Sequence, residues 1–115
     1  MPRELVVLSV DEPTLATFVT AGAAVAPDLR VRSLDGGAVV EVVDARGTAV
    51  VSVQLPERVD NQEEVLRLAP WTTLRAPLWW TDAWAPWGAG GEVGVDIARA
   101  LADEVHGELL VEDGS

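Results

Sequence analysis

The sequence predicts an α+β protein in the element order β-α-β-β-β-α-β-α-β, with two to three helices packed mainly on one face of a mixed, mostly antiparallel sheet. Three observations point there. Two valine-rich runs flank a short turn, which marks a hairpin. Capped stretches with helical periodicity stand isolated between strand-like runs. Hairpin-linked strands interspersed with single helices pack as a helix layer on a sheet.

Leu5 to Val10 is an apolar run bounded by charges, read as a strand buried on both faces. Asp11 offers an N-cap, with Pro13 tolerated in the first helical turn. Leu15, Phe18 and Val19 form the stripe of that helix, and Gly22 is the expected stop. Leu29 to Arg32 alternates as a strand and ends at the Asp35-Gly36-Gly37 turn. Val39–Val43 and Ala49–Val53 then flank Asp44-Ala45-Arg46-Gly47. Valine suits a pleated surface, and Gly47 supplies the positive φ a tight turn needs. Asp60 or Asn61 caps a short helix through Leu68, with Glu63 or Glu64 in the capping-box position and Pro70 after it. Leu78 to Trp84 reads as a strand and Pro86 to Gly91 as a loop. A last helix runs from about Glu92 to His106 on the stripe Val93, Ile97, Leu101 and Val105, with Gly107 past its end. Glu108 to Glu112 is the closing strand, and Asp113-Gly114-Ser115 a frayed tail.

At 115 residues the chain is one expected domain, 1–115. Its 19 acids against 8 bases leave a net charge of −11, and every base is arginine. The missing lysine, beside abundant Ala, Val and Gly, reads as the codon bias of a GC-rich genome. A polyanion is repelled by nucleic-acid phosphates and by anionic membranes, so neither is expected as a partner. Basic proteins are. The N-terminal apolar run is too short for a signal-peptide core, and the charge-free stretch between Glu12 and Asp28 is too weakly apolar to span a bilayer. A cytoplasmic location is expected.

The absence of lysine, cysteine and tyrosine removes three nucleophile types, and one histidine leaves no multi-histidine metal site. No cofactor is expected, and the chain is read as a non-enzyme. His106 suits a helix C-terminus better than catalysis, because the serines lie far from it in sequence. Gly88-Ala89-Gly90-Gly91 precedes a helix but misses the phosphate-binding spacings, so it reads as a flexible turn.

The segment from Trp71 to Gly91 is different. It holds all five tryptophans, with Arg75 and Asp82 as its only charges. Charge depletion with aromatic enrichment is the character of an interface centre. Leu78, Trp80, Asp82 and Trp84 share one strand face, and Trp79, Thr81 and Ala83 the other, so both faces are core only if the strand is central. Two or three indoles are expected inside and at least one outside, Trp84 or Trp87 first. Asp82 is expected either exposed on the wet side of the strand or paired with Arg75. From Glu92 onward seven acids face a single Arg99, which supplies an acidic rim. The candidate binding residues are therefore Trp79, Asp82, Trp84, Trp87, Glu92 and Asp96.

The leading expectation is a small acidic protein-binding module (an inhibitor, immunity-type or accessory protein) meeting a basic partner. One alternative is a ligand-binding protein or carboxylate-dependent enzyme with its pocket at the Trp/Gly-rich segment. Another is a structural protein that self-associates through an edge strand or apolar patch.

Overall fold

A computed structural model describes residues 3–112, without the side chains at 89 and 90; the tail expected at Asp113–Ser115 lies outside them. Strand β1 (Arg3–Ser9) leads through helix α1 (Leu15–Val25) to β2 (Arg30–Leu34), and β3 (Val39–Val43) turns into β4 (Ala49–Gln54). A short β5 (Glu57–Val59) precedes α2 (Gln62–Leu68), β6 (Leu78–Ala85), α3 (Ala89–Glu104) and β7 (Gly107–Glu112). The seven strands form one sheet in the order β2-β3-β4-β6-β1-β7, with β5 beside β6.

The α+β class holds. Every hydrogen-bonded strand pair is antiparallel. The two crossovers β1-α1-β2 and β6-α3-β7 connect strands that run parallel without touching. β1 itself stands between β6 and β7. The hairpin forms where expected: Asp44 Oδ1 accepts from the backbone N–H of Arg46 and Thr48, and Gly47 sits at φ +83°.

β6 lies inside the sheet, which meets the condition under which both of its faces can be covered. It pairs with β1 from Arg3↔Ala85 to Ser9↔Trp79 on one edge, and with β4 and β5 on the other. Side-chain alternation then sorts the molecule into two sides. On the roofed side, Leu5, Val7, Val42, Val51 and Ala83 meet Phe18 and Ala21 of α1 and Ile97, Leu101 and Val105 of α3. Each buried Leu, Ile or Phe there contributes about 1.5–3 kcal/mol. On the opposite side, Leu8, Val59 and Leu78 form a smaller cluster with Val65 of α2 and Ala69. α2 thus covers only one end of that face and leaves the rest open.

Four helix boundaries differ from expectation. α1 is capped by Thr14, not Asp11, through reciprocal Thr14–Thr17 side-chain-to-backbone bonds of 2.8 and 3.3 Å. Pro13 disfavours helical backbone at Glu12, which delays the start. The helix also continues past Gly22, which is buried against Val42. α3 starts at Ala89, three residues early, so the glycine-rich stretch forms its first turn instead of a loop. At its end His106, at φ +53°, takes the left-handed position expected of Gly107. β5 has only three residues, too few for a periodic signal, and was not expected.

Candidate functional site

The open side of the sheet carries a depression of about 170 Å³ on β6, β1 and β7, bounded by Glu4, Val6, Asp82, Trp84 and Glu112. Register assembles it. Glu4 lies opposite Trp84 on one side and Glu112 on the other, and Val6 lies opposite Asp82 and Leu110. Val6 is 4% exposed and forms the floor. Asp82 is half-buried and is held by the Trp80 indole, whose Nε1–H donates to Asp82 Oδ1 at 3.1 Å. The expected Asp82–Arg75 pair is not among its contacts.

No arginine of β4, β6, β1 or β7 faces this side, because the only one in those strands, Arg3, points to the roofed face. Glu4 and Glu112 therefore stand directly opposite each other, and neither has an ion-pair partner among the described residues. Like charges in that position cost stability.

The five indoles separate cleanly. Trp71 and Trp80 pack against the smaller cluster. Trp79 lies under the Arg58 guanidinium at 5.8 Å, and Trp87 under Arg3 at 5.2 Å. Trp84 is half-buried and has neither a cation nor a hydrogen bond from another described residue. No indole is fully buried, and Trp87 is the one exposed, at 53%.

The expected site residues thus fall in three places. Asp82 and Trp84 share the open depression. Trp87 and Glu92 are joined on the other side of the sheet by Arg3, which donates to Glu92 at 2.9 Å and is only 13% exposed. Asp96 is exposed one turn further along α3. Trp79 lies apart, beside β5. Glu4, Val6 and Glu112 belong to the site and were not expected there. Their alternation with Leu8, Glu108 and Leu110 was visible in sequence, but only strand order places them together.

The glycine-rich stretch is a packing device. A Cβ on Gly91 would lie 1.6 Å from the Pro86 carbonyl oxygen, and one on Gly94 would lie 1.9 Å from that of Val50. The second contact seats α3 against the sheet, and the first packs its opening turn on the Pro86 turn. His106 meets a carboxylate. Its Nδ1 lies 2.7 Å from Asp11 Oδ2, while the nearby Ser9 hydroxyl is buried and donates to the Asp11 carbonyl at 2.8 Å. A larger apolar cleft of about 320 Å³ opens between Leu15, Phe18, Val40 and Leu55, lined by no tryptophan.

Among the described residues no group of three His, Cys, Asp or Glu side chains is placed to hold a metal ion, and no helix is long and apolar enough to cross a membrane. The geometry defines an α+β protein whose antiparallel sheet is roofed on one face and bears an acidic, aromatic depression on the other. No protein-family model, curated protein or solved structure matches the chain.

Proposed function

We propose that this chain is a protein-binding module that takes a basic side chain of its partner into the depression floored by Val6. The observation that carries the reading is Trp84, the indole without an internal partner, standing beside the uncompensated pair Glu4 and Glu112. An arginine entering there gains a ring face for its guanidinium, at about 0.5–2 kcal/mol, and relieves the repulsion between the two carboxylates. Asp82, already oriented by Trp80, adds a third acceptor. The excess of negative charge speeds and orients the approach of such a partner more than it deepens the final affinity.

Titration with a hexa-arginine peptide tests this, read by tryptophan fluorescence and calorimetry. Trp84→Ala and Glu4→Gln are each expected to weaken binding by about 3- to 10-fold. Glu92→Gln and Asp96→Asn, on the other side of the sheet, are expected to leave it unchanged. Equal losses for all four variants, or no binding at all, would overturn the reading.

A further inference from the structure

The two outer edges of the sheet match each other. β7 ends it on one side and β2 on the other, and among the described residues no strand pairs with the outer edge of either. On the open side β2 presents Arg30 and Arg32, and β7 presents Glu108 and Glu112. On the roofed side Val31 corresponds to Leu109 and Val111. An unpaired edge is a template for another strand, and the charges it carries select which one.

Strand direction also fits. Every neighbour in the order β2-β3-β4-β6-β1-β7 is antiparallel, so β2 and β7 point oppositely. A second copy set beside the first, same face up, therefore brings its β2 antiparallel to β7. We infer that a second copy of this chain docks there, its β2 edge on the β7 edge, continuing the sheet from copy to copy. The register that overlaps all of β2 sets Arg30 opposite Glu112 and Val31 opposite Val111, with Arg32 diagonal to both glutamates. Such cross-strand pairs, direct and diagonal, are the units that stabilise a sheet.

The same charges oppose the symmetric alternatives. Overlapped from Glu108 to Glu112, β7 on β7 faces Glu108 with Glu112, and β2 on β2, overlapped in full, faces Arg32 with Arg32. Each edge repels its own kind and accepts the other. The pair with most to gain is Arg30–Glu112: both are exposed, and neither is in an ion pair among the described residues. Arg32 keeps its bond to Glu41, and Glu108 is held by Thr72 and Thr73. The contact is head-to-tail, so it builds a chain or ring of copies, not a symmetric dimer. Each copy adds six strand positions across the sheet, about 29 Å at a spacing of about 4.8 Å. Glu112 also rims the depression around Val6, so a docked copy places a positive charge beside it. Trp84 and Glu4 lie off the contact, and their variants are expected to change peptide binding while leaving assembly intact.

Sedimentation velocity over a wide concentration range tests the inference, with circular dichroism confirming that each variant is folded. The native chain is expected to gain mass with concentration. Arg30→Glu alone and Glu112→Arg alone each set like charges across the contact and are expected to weaken association several-fold. Their equimolar mixture restores opposite charges at both edges and is expected to regain native assembly. A native chain that stays monomeric throughout would overturn the inference. So would single variants that assemble like the native chain, or a mixture that does not recover.

Discussion

Thr81 shows how a single residue on the central strand departs from an ideal fit. It is fully buried, and its hydroxyl has no hydrogen-bond partner. A buried polar atom left unsatisfied carries its full desolvation cost, about 1–3 kcal/mol. Thr81→Val keeps the branched shape and removes that cost, so thermal unfolding should show the variant more stable by about 1 kcal/mol. At the neighbouring positions the alternation of Trp79, Trp80, Asp82 and Trp84 was legible from sequence, because strand geometry dictates it. Which indole stays free was not. That depends on Arg3 and Arg58, which reach Trp87 and Trp79 from other strands.

Among the elements, α3 depends on glycine at its contact with the sheet. The Val50 carbonyl occupies the space a Cβ on Gly94 would need, so Gly94→Ala must push the helix from the sheet. Overpacking of that kind costs about 1–3 kcal/mol or more, and a thermal melt should show Gly94→Ala among the most damaging conservative changes in the chain. α2 shows a gentler effect. The hydrogen bond from Arg67 holds the Glu64 carboxyl below its ordinary value of 4.5. A carboxyl lowered on folding stabilises the protein above the unfolded value, and the contribution disappears as pH falls through the lowered one. Both side chains are well exposed, so the effect is small. Hydrogen exchange of α2 amides should show Glu64→Gln slightly less protected near neutral pH, with the difference closing in acid. The Asn61 cap and the apolar stripe of α3 were readable because capping and periodicity are local. The Thr14 start of α1 was obscured by Asp11, an equally good cap by type, which instead meets His106 from the far end of α3.

Across the whole molecule the charge is unevenly placed. The open side of β6, β1 and β7 carries Glu4, Asp82, Glu108 and Glu112 with no arginine from those strands, while two of the eight arginines stand on the opposite edge strand. At physiological ionic strength charges are screened beyond about 8 Å, so local arrangement governs contact more than the total does. A face with carboxylates around an unpartnered indole adjoins an edge with alternating glutamates, the two sharing Glu112; Trp84→Ala and Glu4→Gln test the face alone, and Arg30→Glu tests the edge alone.

The sequence by itself determined the α+β class, the hairpin at Asp44–Gly47, the alternation of side chains along β6, and the helical stripe of α3. These follow from periodicity, capping and turn chemistry, which act within a few residues. Only the tertiary structure decided that Glu4, Asp82, Trp84 and Glu112 surround Val6, that Trp87 and Glu92 serve Arg3 on the other face, and that Arg30 and Glu112 end up on opposite edges. Those placements come from strand order. Strand order is chosen by burial of both faces of β6 against partners distant in the chain, and no local pattern encodes it.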